Sequence, residues 1–136
     1  MLQTVIDFLK TCPFLDGVLL TADFLGDEDG CFGIETVATN PVIELYADGG
    51  SLRQFVFRIL YRVNHHAPGE TAPADLYEKI AGWIEQTTKM PVLDKGKTAQ
   101  RFEILKTGTV SDRKFGSLQY CMECRMIYYA EKGSEV

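Results

Sequence analysis

The spacing of hydrophobic residues along the chain divides it into helical and extended stretches. Near the N-terminus, apolar residues recur every three or four positions, which predicts a short amphipathic helix over residues 1–11 whose buried face contains Leu2, Val5, Ile6 and Leu9. The same spacing returns after Pro73, a residue that suits the first turn of a helix, and it ends before Pro91. This second helix is expected to bury a face made of Leu76, Ile80, Trp83, Ile84 and Thr87.

Alternating apolar and polar residues predict strands in the middle of the chain. A strand is expected over residues 31–39, and two more over residues 42–47 and 52–63. An Asp-Gly-Gly sequence at residues 48–50 separates the last two, and Asp-Gly between apolar runs favours a β-hairpin. The odd-numbered positions of the longer strand are expected to face the core, and the even-numbered positions the other side.

The C-terminal third predicts a second hairpin. Its strands are expected around residues 101–105 and over residues 118–129, joined by a long connection through residues 108–116. Residues 92–99 are expected to form a loop. The order of helix, strand, strand pair, helix and strand pair predicts a single α+β domain over residues 1–136. In that domain a mainly antiparallel sheet of about four to five strands carries two helices packed on one face.

Composition narrows the classes of function. The chain has 14 Lys and Arg against 19 Asp and Glu, a net charge of −5, which disfavours a protein that binds nucleic acid through clustered cations. No apolar run approaches the ~20 residues of a membrane span, and the N-terminus lacks the pattern of a signal peptide. A chain that stays in the cytosol after synthesis is expected, with its four cysteines reduced.

Two short patterns suggest metal or redox chemistry but fail on context. Cys121 and Cys124 have the Cys-x-x-Cys spacing of zinc and redox sites, yet three positions apart on a strand they point to opposite faces. The acidic loop of residues 23–30 would need acidic or amide ligands in a fixed order to bind calcium, and Leu25 and Thr36 occupy two of those positions. Structural cysteines and a solvated loop are therefore expected.

Two functions of other classes stay open as alternatives. The first is a small enzyme or ligand-binding domain, for which His65, His66 and Cys31 are loose candidates that no motif unites. It predicts a pocket with convergent polar groups and perturbed titratable residues. The second is an adaptor domain that dimerises through its sheet.

The sheet face that turns away from the core mixes charged, amide and apolar residues. Arginine and tyrosine beside apolar anchors are typical of protein–protein interfaces, although an ordinary solvated face is the alternative. The candidate interface on this face comprises Gln54, Arg58, Arg62, Glu123 and Arg125. Acidic residues of a neighbouring copy are expected to pair with these arginines from the loop that contains Asp27, Glu28 and Asp29.

Three segments give the chain a resemblance to a known family. They are NPVIELYADGGSLRQFVF at residues 40–57, WIEQ followed by MPVL within residues 83–93, and QYCMECRMIYY at residues 119–129. In this order they resemble a family of small minor capsid or minor tail proteins from prophages of Gram-positive bacteria. Members of that family show Tyr-x-Asp-Gly-Gly before an aromatic-rich strand.

The resemblance implies a structural protein of a long-tailed phage particle, similar to the tail terminators or tail completion proteins. Those proteins form a hexameric ring on the finished tail tube, stop its growth and present the surface to which the head binds. The expected partners are copies of the same chain, the tail tube protein and head–tail connector proteins, with no membrane and no sequence-specific nucleic acid. The expected location is the virion, and the bacterial host cytoplasm during assembly.

The family motif brings no catalytic residue, and no cofactor and no metal are expected. Enzyme activity is therefore not expected either. A head-completion or minor capsid protein is the alternative role within the same particle, because such proteins have similar sizes.

Overall fold

The computed structural model describes residues 1–23, 25, 30–63, 73–114 and 117–134. Its helices are α1 (Leu2–Leu9) and α2 (Pro73–Gln86), and a short 3₁₀ helix at Pro13–Leu15 follows α1. The strands are β1 (Leu20–Ala22), β2 (Phe32–Thr36), β3 (Val42–Leu45), β4 (Ser51–Val63), β5 (Lys97–Lys114) and β6 (Ser117–Ala130). Neither helix of this described part is long and apolar enough to cross a lipid bilayer.

Within the described residues, six strands form one sheet in the order β1-β2-β4-β6-β5, and β3 pairs with β4 beside β2. β1 and β2 are parallel, and the other pairs are antiparallel. β4 lies at the centre because β6 pairs with it along all 13 residues while β2 and β3 share its other edge. The predicted α+β class with a mainly antiparallel sheet is confirmed. The extra strand is β1, which is too short to produce an alternating pattern in the sequence.

The C-terminal hairpin is present but differs from the prediction in its length. Residues 108–114 continue β5 instead of belonging to a long connection, and β5 begins at Lys97, inside the loop expected over residues 92–99. Four register shifts interrupt the pairing of β5 with β6. Because each shift disturbs the inside–outside alternation, period-two reasoning loses the strand after residue 105.

Both helices pack on the same face of the sheet, as predicted. α2 ends at Gln86, earlier than the expected stop at Pro91. The core contains odd-numbered residues of β4 and even-numbered residues of β6, which confirms the predicted inward faces of these two strands. Its fully buried members include Val5, Leu9, Phe57, Ile59, Ile80, Ile84, Met122 and Met126.

Aromatic contacts and one tyrosine fix the helices on the sheet. Phe8 of α1 stacks on Phe102 of β5 with ring centroids 4.3 Å apart, and Trp83 of α2 lies 5.0 Å from Phe8. The hydroxyl of Tyr77 in α2 lies 2.9 and 3.0 Å from backbone carbonyl oxygens of β4 and β6, and burial raises the pKa of Tyr77. Gly108 of β5 makes room for the Tyr77 ring, since a Cβ there would overlap it. The helix layer thus covers one face and leaves the other to the candidate interface.

Candidate protein–protein interface

Arg58 lies at the centre of the predicted interface. The pairing of β2, β4 and β6 places Glu35, Arg58 and Glu123 side by side on the face opposite the helices. Arg58 donates from Nη1 to Glu35 at 3.2 Å and from Nε to Glu123 at 3.1 Å. The hydrogen bond to Glu35 is the largest cause of a pKa of Arg58 raised above its ordinary value. This guanidinium therefore stays charged and links three strands.

A second cluster on the same face centres on Glu103 of β5. Arg125 of β6 donates to Glu103 from Nε at 2.8 Å, with its Nη2 at 2.6 Å, and Arg101 donates to Glu103 at 2.8 Å. Arg125 also donates from Nη1 to the side-chain oxygen of Gln54 at 3.0 Å. The hydrogen bond from Arg101, and then that from Arg125, lowers the pKa of Glu103 against the opposing effect of burial. We call the two clusters together the charged face: Glu35, Gln54, Arg58, Arg101, Glu103, Glu123 and Arg125.

Three apolar residues lie among these polar side chains and are nevertheless buried: Val56, Leu60 and Ile127. Ile127 is only 1% exposed, although the helices pack on the other face of the sheet. Its cross-strand partners are Gln54 and Arg101. Long polar side chains cover apolar surface with their stems while their head groups stay in water. The charged face therefore covers its own apolar residues.

The structure brings together most of the predicted interface residues that it describes. Arg62 is the exception, because it lies farther along β4, in register with Gln119. Asp27, Glu28 and Asp29 lie outside the described residues. The residues that meet on the charged face are Gln54, Arg58, Glu123 and Arg125.

Two of the three arginines expected to pair with a neighbouring copy bond to carboxylates inside their own chain. Arg58 bonds to Glu35 and Glu123, and Arg125 bonds to Glu103. Sequence reasoning missed Glu35 and Glu103 as partners. Alternation along one strand gives the face of each residue, but only the register between strands gives its cross-strand neighbour.

The turn between β3 and β4 is tightly bonded. The Tyr46 amide donates to the Gly50 carbonyl at 2.9 Å, and the Gly49 amide donates to the Tyr46 carbonyl at 3.0 Å. Asp48 Oδ1 accepts a further bond from the Gly50 amide at 2.8 Å. Gly49 has a φ of +89°, and a Cβ on Gly50 would collide with the ring of Tyr129. The predicted hairpin is therefore confirmed, and steric constraints explain why both positions are glycine.

Three large apolar residues in β3 and directly after it are exposed, and we call them the β3 patch: Ile43, Leu45 and Tyr46. Ile43 is 41% exposed and Leu45 is 73% exposed. Sequence reasoning did not select these residues, although a signal was present. Four of the five residues from 42 to 46 are apolar, and a strand cannot turn all of them to one face.

The cysteines occupy the positions that strand geometry predicted. Cys121 lies opposite Leu60 and Cys124 opposite Phe57, so the two thiols are on opposite faces of β6. Burial raises the pKa of both thiols. Among the described residues no three Cys, His, Asp or Glu side chains form a group suited to a metal ion. His65 and His66 lie outside the described residues.

Among the described residues, one cleft lies beside α1 and another beside α2. The larger, about 340 Å³, lies between α1 and residues 89–92 and is lined by Phe8, Asp7 and Met90 among others. The smaller, about 270 Å³, lies between α2 and β5 beside Tyr77. Cys31, which the sequence suggested as a candidate for a ligand site, directly precedes β2 instead. Its carbonyl oxygen accepts a hydrogen bond from the Arg62 amide.

No protein-family model matches the chain, and no curated protein matches it. Its function is therefore inferred from the geometry of the sheet and from the resemblance carried by residues 40–129.

Proposed function

We propose that this chain is a structural protein of a long-tailed phage and acts as a tail terminator. In that role, a ring of its copies caps the finished tail tube, ends tube growth and presents the surface to which the head binds. The resemblance of residues 40–57 to minor tail proteins supports this proposal. The same residues build the stiff hairpin, because Tyr46, Asp48, Gly49 and Gly50 supply the bonds and the free space of its turn.

The observation that carries the proposal is the difference between the two sides of the sheet. On one side, β3 is a short strand with an exposed apolar patch. On the other side, β5 is an 18-residue strand that pairs only with β6 among the described residues. A ring of identical subunits needs two unlike surfaces that meet head-to-tail, and the sheet offers such a pair.

The ring stops polymerisation by geometry. One ring face imitates the surface that tail tube subunits present to each other, and the opposite face lacks the continuation. That opposite face is free for head–tail connector proteins. The chain therefore acts in the host cytoplasm during assembly and remains in the virion, with the rigid sheet as scaffold and the connecting segments as contact elements.

Electron microscopy of an induced lysate from a prophage that lacks this gene tests the proposal. Abnormally long tails beside full, unjoined heads are expected, and the wild-type gene supplied in trans is expected to restore normal particles. Tails of normal length beside unjoined heads would overturn the terminator role in favour of head completion. Infectious particles in normal yield would overturn any virion role, and the 340 Å³ cleft would then be the place to look for a ligand.

A further inference from the structure

The cleft beside α1 joins two segments that are far apart in the sequence. One wall contains four residues in and directly after α1, which follow the three- and four-residue spacing of a single helix face: Thr4, Asp7, Phe8 and Thr11. The other wall is the segment of residues 89–92, which follows α2. The cleft volume of about 340 Å³ lies at the small end of the ~300–1,000 Å³ range of ligand pockets and suits a molecule of amino-acid size.

The inner surface of this cleft is apolar and rigid. Phe8 is 6% exposed, and its ring stacks on Phe102 at 4.3 Å and lies 5.0 Å from the ring of Trp83. Met90 packs against the core from the opposite wall. A pre-organised surface of this kind loses little conformational entropy when a ligand binds. At the edge of the cleft Val92 is 92% exposed, so a ligand that covers it removes apolar surface from water.

The two walls carry opposite charges that lack an ion pair. Asp7 Oδ1 accepts a hydrogen bond from the Gln3 side chain at 2.8 Å. Within the described part of the chain, neither Asp7 nor Lys89 forms an ion pair, with each other or with another residue. Both residues are exposed. A carboxylate and an ammonium therefore border the same apolar cleft without neutralising each other, and a molecule that carries both charges can bridge them.

We propose that this cleft binds a small zwitterion with an apolar body, of the class of the α-amino acids with a large apolar side chain. The ammonium of the ligand lies beside Asp7 and its carboxylate beside Lys89, because charged hydrogen bonds are stronger than neutral ones. The apolar body of the ligand covers Phe8 and Met90. A ligand with a single charge would leave one wall without a partner. The cleft lies on the helix side of the sheet, opposite the charged face, and the inference goes beyond the proposed function without depending on it.

Tryptophan fluorescence of the purified full chain tests the site, because Trp83 is the single tryptophan of the sequence and lies beside Phe8. L-phenylalanine and L-leucine are expected to change the emission saturably, with a Kd of about 1 mM or below. Glycine carries both charges but no apolar body, and it is expected to give no saturable change. Absence of a saturable change with both apolar amino acids up to about 20 mM would overturn the proposal. A response to glycine with the same midpoint would overturn it as well.

Ligand analogues separate the two charged contacts. Phenylalaninamide lacks the carboxylate of L-phenylalanine, and hydrocinnamate lacks its ammonium. Each analogue is expected to bind about fivefold more weakly than L-phenylalanine, a modest factor because solvent screens exposed charges. Equal midpoints for all three compounds would overturn the assignment of a zwitterion, since apolar contacts alone would then hold the ligand.

Two substitutions assign each contact to its wall. Asp7→Asn is expected to weaken the binding of L-phenylalanine about fivefold without weakening that of hydrocinnamate, and Lys89→Gln is expected to do the same without weakening that of phenylalaninamide. Asp16→Asn and Lys95→Gln are the matched controls, because both residues are exposed and neither lines the cleft. Circular dichroism establishes that each variant keeps the fold. Equal weakening in variants and controls, or an equal loss for L-phenylalanine and hydrocinnamate in Asp7→Asn, would overturn the proposed contacts.

Discussion

The charged face and the β3 patch belong to the same sheet but use their exposed side chains in opposite ways. On the charged face, Arg58, Glu103 and Arg125 are bonded within the chain. Gln54 and Arg101 flank Ile127, which is buried. On the β3 patch, Ile43 and Leu45 project apolar surface that the chain itself leaves uncovered. The polar groups of the first surface are satisfied within the chain, whereas the second leaves apolar side chains exposed to solvent.

This difference corrects an intuition about interfaces. Arginines and glutamates on a sheet face are readily interpreted as binding residues for a partner. On the charged face, however, a docking partner would have to break the ion pairs within the chain and remove water from the charges. An exposed leucine on a stiff hairpin makes no side-chain hydrogen bond or ion pair that docking would have to break. Of the two surfaces, the apolar one is therefore the better candidate for recognition.

The largest expected effect separates the two surfaces by stability. Ile127→Ala removes a buried side chain from beneath the charged face and is expected to lower the free energy of unfolding by about 2–4 kcal/mol. Ile43→Ala, in the β3 patch, is the matched control and is expected to cost less than about 1 kcal/mol. Urea denaturation with an unchanged m-value measures both. Equal losses would contradict the assignment of Ile127 to a covered apolar layer.

The next effect concerns the internal charges. Arg58→Ala leaves the buried Glu123 without this partner and is expected to cost about 1–2 kcal/mol, a figure kept low because Arg58 is partly exposed. A double-mutant cycle with Glu123→Gln is expected to show coupling of about 0.5–1 kcal/mol. Lys10→Ala, at an exposed position on the end of α1, is the control. Additive effects in the cycle would show that the pair contributes nothing to stability.

A smaller effect follows from the lowered pKa of Glu103. Protonation favours the unfolded chain, in which the pKa is near the usual ~4.3. The stabilisation is therefore present above that value and is lost as pH falls through the folded pKa. Glu103→Gln is expected to remove this part of the acid sensitivity, by less than about 1 kcal/mol because solvent screens the group. A difference in the free energy of unfolding between wild type and variant that stays constant from about pH 7 down to about pH 2 would contradict the ion-pair cluster.

The smallest effect is expected at the β3 patch. Leu45→Ser changes a side chain that is mostly in solvent, so the free energy of unfolding is expected to change by less than about 0.5 kcal/mol. The same variant is expected to bind less strongly to a hydrophobic-interaction column. A large loss of stability in thermal denaturation would mean that Leu45 packs within the chain, and it would end the contrast with the charged face.

Local sequence signals predicted the elements that depend on local physics. The three- and four-residue spacing gave α1, and Asp48-Gly49 gave the β3–β4 hairpin. The same reasoning missed β1, which has three residues, and the C-terminal half of β5, where register shifts disturb the alternation. These features depend on pairing between strands, which a single stretch of sequence does not encode.

The same distinction between local sequence pattern and strand pairing applies to the candidate site. Period two placed Arg58, Glu123 and Arg125 on the correct face of the sheet. It gave no sign that Glu35 and Glu103 would bond to them, because that depends on which strands are neighbours. The β3 patch was overlooked for a different reason, since apolar residues in a strand are assigned to the core by default. The side chains of an edge strand such as β3 are an exception, because the strand has a neighbouring strand along one edge only.

Because β4 is central in the sheet and β3 lies at its margin, the amides of these two strands are expected to exchange with solvent through different opening events. β4 is bonded along one edge by β6 and along the other by β2 and β3, so its amides exchange only when the sheet opens as a whole. The β3 amides lie at the margin and exchange through local opening. One deuterium-labelling experiment therefore reads global stability from β4 and occupancy of the β3 patch from β3. It does so in the unmodified protein and without any substitution.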